Sequence, residues 1–497
     1  MVFIEQFFGV NMNLSLYTII SIAIIIINIV LIITAVFIER KKPVHALTWV
    51  LTLSLLPVAG FVLYLIFGRS YHIKKKKLLI KCDRSKQYCQ ELHRTLDFAC
   101  YDENKFNEPY DNNTKQVIKL NINTSQSSYT NDNTVRIFTS AEDKYRELLQ
   151  DIYAAKSSIH ILYFIIQNDN IGNKIIAALA QKAKEGLEVR ILFDHGAKLF
   201  TPLKTYNSII ENGGEVLCFL SNTVSNYLRL NFRNHRKVVV IDGGIGYIGG
   251  INIGDEYLGL NKKISPWRDT HMKIIGSSVH SLQLRFFEDW LYASNSDIEF
   301  VDTEKYFMPI SKESIGNTGM QIVASGPDTK CEEIKRCMIK MVNSAKKNIL
   351  IQTPYFVPDS AFLEALQNAA LSGVEVIIQI PAIPDKPYVY KATMSFVADV
   401  LDYGIKMYLY KGFLHAKMMV IDEECCTIGT ANIDVRSFSL NFEINAFMYG
   451  KEISQRCTQI FNKDLEMCEL MTKEKYQNRG VYKKIQESIF RLLSPIL

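Results

Sequence analysis

Ala154–Asp169 reads AAKSSIHILYFIIQND, and Ser344–Asp359 reads SAKKNILIQTPYFVPD. Each stretch carries an apolar, β-rich run and then a loop that ends in Asp. Helix-like segments follow in both, IIAALAQKAKEGLEVRILFD from Ile175 and FLEALQNAALSGVEVIIQIP from Phe362. In each, a glycine (Gly186, Gly373) closes the helix before a second β-run. Strand–helix–strand order predicts an α/β fold with at least partly parallel sheets. The repeat is too long and occurs too few times for a solenoid, so two related domains are expected, over 134–310 and 311–497.

Downstream of each copy the same polar signature returns. The first is His235-Arg-Lys237, then VVVI, Asp242, and later Gly249-Gly250-Ile-Asn252; the second is His415-Ala-Lys417, MMVI, Asp422 and Gly429-Thr430-Ala-Asn432. Both are HxKxxxxD followed by G(G/T)xN at identical offsets. With nine histidines in 497 residues, one chance HxKxxxxD has odds on the order of 3%, and two in register are not accidental. Strand alternation points His and Lys one way and the intervening residues the other. A buried Lys needs an anion, supplied by Asp or by a bound phosphate.

Two histidines and two lysines converging from paired halves suit phosphodiester chemistry. A neutral imidazole attacks phosphorus, while a protonated one donates to the departing alkoxide. Lys237, Lys417, Asn252 and Asn432 would bind the non-bridging oxygens. No HExxH, CxxC or acidic triplet is present, so no metal or other cofactor is expected.

Residues 71–133 are basic and then polar, ending in NNTKQVIKLNINTSQSSYTNDN, and read as a linker. Before them, residues 1–70 form an expected transmembrane hairpin. Leu14–Ile38 and Ala46–Phe67 contain no charge, and each has roughly the ~20 residues that cross a hydrocarbon core. A cleaved signal peptide would open on basic residues, and Met1–Asn13 has none. Arg40, Lys41 and Lys42 lie between the spans, whereas Arg69, Lys74–Lys77, Lys81, Arg84 and Lys86 follow the second. The larger cluster places the catalytic domains in the cytoplasm of a multi-pass plasma-membrane protein. Lys74–Lys77 is either a stop-transfer signal or a contact for anionic lipid.

Hydrophobic residues make up 48% and charged residues 22% of the chain, which excludes a disordered or collagen-like protein. A net charge of +6 is too mild to argue for nucleic acid. Ten cysteines without a CxxC form no disulfide framework and favour a reducing compartment.

Taken together, these residues resemble the phospholipase D superfamily, and within it the bacterial cardiolipin synthases. The resemblance runs nearly end to end: ALTWVLTLSLLPVAGFVLYLIFGRSY, both HxKxxxxD motifs, WRDTH, GFLHAK, RSFSLNFE and SPIL. It implies a pseudo-twofold pair of phospholipase D-like domains sharing one site. It also implies transfer of a phosphatidyl group between two phosphatidylglycerol molecules, giving cardiolipin and glycerol through a phosphohistidine. Phosphatidylglycerol and anionic membrane lipids would be its partners, with no nucleic acid; the oligomeric state stays open. By the same resemblance His235 is the nucleophile and His415 the acid, an assignment the near-symmetry could reverse. Asp242 and Asp422 are catalytic as motif members. Glu443 would orient a catalytic imidazole, and Asp269 would be its counterpart, although it departs in spacing and residue type.

Some features stay divided at this level. His271 and Arg268 read equally as headgroup contacts or as structural residues, and Arg436 as a phosphate contact or not. Tyr388–Tyr390 reads as a loop over the site or as a surface turn. The tail KKIQESIFRLL groups Ile485, Ile489, Phe490 and Leu493 on one face, read first as packing on its own domain and otherwise as a membrane-surface contact. The rival functions are a water-using phospholipase D, another phosphatidyltransferase, a nuclease and a non-catalytic scaffold. A nuclease has no use for two spans, and intact motifs in both halves argue against a scaffold.

Overall fold

The computed structural model describes residues 16–34, 36, 43–64, 87–89, 91–92, 110–199, 201–220, 232–294, 302–307, 316–329, 331–492 and 494. They divide into two compact units, one with the amino-terminal helices and one with both repeat halves.

The amino-terminal unit holds α1 (Leu16–Ile33), α2 (Pro43–Leu55) and α3 (Pro57–Leu63). Among the described residues no helix is long and apolar enough to cross a membrane. Eighteen residues in α1 span about 27 Å at 1.5 Å each, short of a ~30 Å hydrocarbon core. The second expected span is broken at Leu56, because Pro57 has no N–H for the Leu53 carbonyl. Asn28 on α1 supplies the missing donor: its Nδ2 lies 3.4 Å from the Leu53 oxygen and 2.9 Å from that of Pro57. Leu31, Leu53 and Tyr64 are buried together, with Trp49 edge-on to Tyr64 at 5.1 Å. The basic cluster from Arg69 to Lys86 lies outside the described residues.

Part of the stretch expected as linker is helical. In α4 (Asn112–Ser125), Asp111 caps the first turn by accepting from the Thr114 N–H. Val117 and Ile118 enter the core of the second half, and Asn121 donates to Gln321 at 3.2 Å. A cap, the buried Val117 and Ile118 and these bonds order an Asn-rich segment.

The first half runs β1 (Thr130–Phe138), α5 (Ala141–Ala154), β2 (Ser158–Tyr163), α6 (Asn170–Lys184), β3 (Glu188–Asp194), β4 (Glu215–Phe219), β5 (Val238–Ile241), β6 (Ile245–Gly249), β7 (His271–Ile275) and α7 (Ser278–Ser294). The second runs β8 (Thr318–Ser325), α8 (Glu333–Ser344), β9 (Asn348–Gln352), α9 (Ser360–Leu371), β10 (Glu375–Pro381), α10 (Pro387–Ser395), β11 (Lys406–Tyr410), β12 (Met418–Ile421), β13 (Cys425–Gly429), β14 (Asn441–Tyr449), α11 (Lys451–Leu465), β15 (Cys468–Met471) and α12 (Val481–Leu492).

Both halves repeat one strand order: β1-β7-β6-β5-β2-β3-β4 matches β8-β14-β13-β12-β9-β10-β11, with β15 added at the far edge. The predicted strand–helix–strand units form the parallel part, β2-β3-β4 and β9-β10-β11. The motif strands β5 and β12 are antiparallel beside them. Where β1 pairs antiparallel with β8, Thr130 opposite Met320, the halves join into one sheet. Each half has its own core, Ile159, Ile161, Val239 and Ile241 in one and Ile349, Ile351, Met419 and Ile421 in the other.

Candidate active site

Each motif histidine stands just ahead of its apolar strand, beside a segment of the opposite half. Arg233–Asn234 pairs in parallel with Asn441–Phe442, and the His235 N–H donates to the Phe442 carbonyl at 2.9 Å. Phe413–Leu414 pairs in parallel with Trp267–Arg268, and the His415 N–H donates to the Arg268 carbonyl at 2.6 Å. The next residue on the opposite segment is Glu443 in one case and Asp269 in the other. Register alone therefore sets each carboxylate against the other half's histidine.

His235 Nδ1 lies 3.0 and 3.1 Å from the two Glu443 oxygens. His415 Nδ1 lies 2.6 Å from Asp269 Oδ2. A carboxylate only accepts, so Nδ1 carries the proton and Nε2 keeps a free lone pair. Burial works against the Glu443 charge, but His235 and Lys237 outweigh it and hold the carboxyl below its usual range. Asp269 is likewise held low, by His415 and Lys417 against burial.

Desolvation governs the four cationic groups. Burial brings His235 down to about 4, with Lys237 and Lys417 adding to the effect and Glu443 opposing it. Burial and Lys417 bring His415 to about 4, against Asp269. Burial lowers Lys237 to about 7 and Lys417 to about 8. Both imidazoles are thus neutral at neutral pH. Since Lys417 is felt at His235 and Asp269 at Lys237, both motifs belong to one electrostatic site. Each lysine Nζ donates to its own histidine's carbonyl, at 2.8 Å for Lys237 and 2.5 Å for Lys417, which leaves further N–H groups for an anion.

Asn252 and Asn432 are buried, at 3% and 5% exposure. Asn252 donates to Tyr257 Oη at 2.5 Å and Asn432 to Asp434 Oδ2 at 3.1 Å, and each has a buried Oδ1 without a hydrogen bond.

Asp242 and Asp422 are not brought to the imidazoles. Each ends its motif strand in a left-handed turn, φ 51° and 54°, beyond roughly 13 Å of strand at ~3.3 Å per residue. Asp242 accepts the backbone N–H groups of Lys156, Ser157 and Ser158 at 2.7–3.0 Å. Asp422 accepts those of Lys346, Lys347 and Asn348 at 2.7–2.8 Å. Their place in the motif is architectural: each clamps the start of a neighbouring parallel strand. Arg268 is also held structurally, bonded to Asp464 at 2.9 Å. His271 is fully buried with no hydrogen bond to either ring nitrogen.

Several contributors escaped the sequence. Asp194 Oδ2 accepts the Asn234 N–H at 2.7 Å and so fixes the backbone beside His235; burial raises this carboxyl to about 6. Arg236, pointing away from its neighbours' side, makes a buried pair with Asp289 at 2.6 Å. Tyr257, Trp267 and Phe413 stand 6.4, 5.5 and 5.6 Å from the His415 ring, an apolar wall that accounts for its desolvation. Asp385, between β10 and α10, accepts from Tyr355 Oη at 2.6 Å, and its charge reaches His415 and Lys417. Its only mark in the sequence is a PDKP turn that the first half lacks.

The chain matches the family model described as cardiolipin synthase, PLD-like domain, over residues 148–266 and 338–465. It also matches one described as phospholipase D-nuclease N-terminal over 26–69. It is 44% identical over 476 residues to the major cardiolipin synthase ClsA of Bacillus subtilis (strain 168), covering 95% of this chain and 98% of that one. With a cardiolipin synthase of Oceanobacillus iheyensis it shares 42% over 478 residues, 95% of this chain and 98% of the other. A crystal structure of phosphatidylserine synthase from Haemophilus influenzae Rd KW20 has the same fold, with TM-score 0.59 and 15% identity, covering 78% of this chain and all of that one. Its two complete motifs, its paired halves and these matches agree: the chain belongs to the cardiolipin synthases of the phospholipase D superfamily.

Proposed function

We propose that this protein joins two phosphatidylglycerol molecules into cardiolipin and glycerol at the site between its halves. The observation that carries the reading is the crosswise pairing of two neutral imidazoles with Glu443 and Asp269, each beside a lysine. Lys237 and Lys417 hold the diester's non-bridging oxygens, and Asn252 and Asn432 assist. His235 Nε2 attacks phosphorus, and Glu443 takes up the growing positive charge on the ring. The anionic diester and Asp269 together hold a proton on His415, which passes to the departing glycerol oxygen. Neutral His415 then takes the proton of the second lipid's glycerol hydroxyl. That oxygen attacks the phosphohistidine, and His235 leaves as the neutral base. The aromatic wall at His415 keeps bulk water from competing with the alcohol.

The amino-terminal match supports a membrane anchor built from the two apolar segments. Ile20, Ile25, Ile26 and Val30 point outward from α1, and Asn28 closes the backbone gap that Pro57 leaves at the Leu53 carbonyl. The basic residues after Gly68 favour catalytic domains on the cytoplasmic face, in a bacterial plasma membrane. Domain limits of 134–310 and 311–497 accord with the repeat.

The test is to reconstitute the full chain with labelled phosphatidylglycerol and resolve the lipids. Cardiolipin with equimolar glycerol is expected. Phosphatidic acid as the main product would replace transfer by hydrolysis, and no turnover would reject the reading. Protease added to sealed right-side-out cells should leave the catalytic domains intact; cleavage there would reverse the topology.

A further inference from the structure

The carboxyl-terminal helix α12 is built inside out. Glu487 is its buried residue, at 7% exposure, and accepts from Arg479 at 2.9 Å. Arg491 donates to the Ser395 carbonyl at 2.8 Å and pairs with Asp399. Only Phe490 reaches toward the core, beneath Lys391. On the outward side Val481, Tyr482, Ile485, Ile489 and Leu492 are 72%, 74%, 54%, 53% and 77% exposed. At 100° per residue these five fall within one sector of about 100°. Of the face expected to pack on the domain, Phe490 does so while Ile485 and Ile489 turn away; Leu493 lies outside the described residues.

A helix that packs through ions and displays its apolar stripe has a partner for that stripe. Charge says which. Lys473, Lys475, Arg479 and Arg491 are taken up in ion pairs with Asp402, Glu469, Glu487 and Asp399, whereas Lys483 and Lys484 stand exposed on either side of the stripe. An apolar stripe edged by lysines suits an anionic lipid surface, with the side chains in the acyl boundary and the ammonium groups among headgroup phosphates. The location fits too. Helix α12 lies along α10, with Arg491 donating to the Ser395 carbonyl at 2.8 Å. Helix α10 starts two residues after Asp385, whose charge reaches His415.

We propose that α12 is an interfacial helix that docks the catalytic unit onto an anionic bilayer. The inference goes beyond the transfer reaction, and only the kinetic arm of its test depends on the phosphatidylglycerol reading.

The full chain is reconstituted in vesicles of phosphatidylglycerol and phosphatidylcholine, parent beside Ile489→Trp. The added indole fluorescence should be quenched at least twofold by acyl-chain-brominated lipid and shielded from aqueous iodide. Both effects should weaken in phosphatidylcholine alone or in 1 M salt. Free quenching by iodide without quenching by brominated lipid would overturn the proposal. So would shielding from both quenchers, which means a segment of this chain covers the stripe. Shielding that grows with protein density would assign the face to a second copy instead. In the kinetic arm, Ile485→Glu with Ile489→Glu should lower turnover of bilayer phosphatidylglycerol at least tenfold relative to monomeric short-chain phosphatidylglycerol. An equal loss on both substrates would mark the stripe as structural. Absence of turnover in the parent would strike the activity reading while leaving the quenching result standing.

Discussion

Glu443 holds the imidazole of His235 from 208 residues away, its oxygens 3.0 and 3.1 Å from Nδ1. Asp269 does the same for His415 across 146 residues, at 2.6 Å. Neither carboxylate serves the histidine of its own half.

The crossing makes a test of wiring. Glu443→Gln should stop His235 from forming the covalent phosphatidyl-enzyme. Asp269→Asn should leave that labelling intact with a nitrophenol-type donor and impair only steps that need a proton from His415. Each loss should be about 100- to 10,000-fold, the usual worth of a positioned acid or base. Rapid-quench labelling decides; the reverse pattern would show that each carboxylate serves its own half.

The histidines themselves should fail differently. His235→Ala should form no covalent intermediate with any donor, whereas His415→Ala should still be labelled by a donor whose leaving group needs no protonation. Acid-labile label on His415 in the His235→Ala protein would exchange their roles.

The lysines set the pH dependence. Their pKa values, about 7 for Lys237 and about 8 for Lys417, lie below the ordinary lysine value. The positive charge that binds phosphate is therefore whole only well below pH 7 and is lost as pH rises through 7 and then 8. Both histidines titrate near 4 and stay neutral above it. On the free enzyme kcat/KM should fall on the alkaline side with an apparent pKa of 7–8. The limb of kcat should lie higher, because a bound diester anion holds the lysine protons. A kcat/KM profile flat to pH 9.5 would contradict this.

Asp242→Ala should damage stability more than chemistry. It strips the acceptor from three N–H groups and puts Ala into a left-handed turn, a cost of about 1–3 kcal/mol. Thermal unfolding should shift down by several degrees, while kcat per folded molecule stays within tenfold of the parent. His235→Ala should show the opposite pattern, and an inactive but fully stable Asp242→Ala protein would return this residue to the site.

Local pattern made much of this fold readable. The apolar runs at Ser158–Tyr163 and Asn348–Gln352, their helices and the two HxKxxxxD motifs are all short-range patterns. The pairing of Glu443 with His235 does not, because it comes from parallel register between segments two hundred residues apart, and no window of sequence holds both strands. Motif membership misled at Asp242 and Asp422: a recurrent offset marks a recurrent turn as readily as a recurrent reaction. The tail misled in a third way. Amphipathicity reports that Ile485 and Ile489 share a face but not which way that face turns; the ion pairs of Glu487 and Arg491 decided that.

The meeting of β1 with β8 has a bearing on ancestry. If a single-half protein self-associated about that seam, residue for residue, every contact would be made twice, and one gene would write both carboxylates. Identical subunits cannot place Glu beside one imidazole and Asp beside the other. A duplicated gene can edit the two copies separately, so the mismatch between Glu443 and Asp269 is a signature of divergence after duplication. Division of labour between the two imidazoles became heritable at that moment.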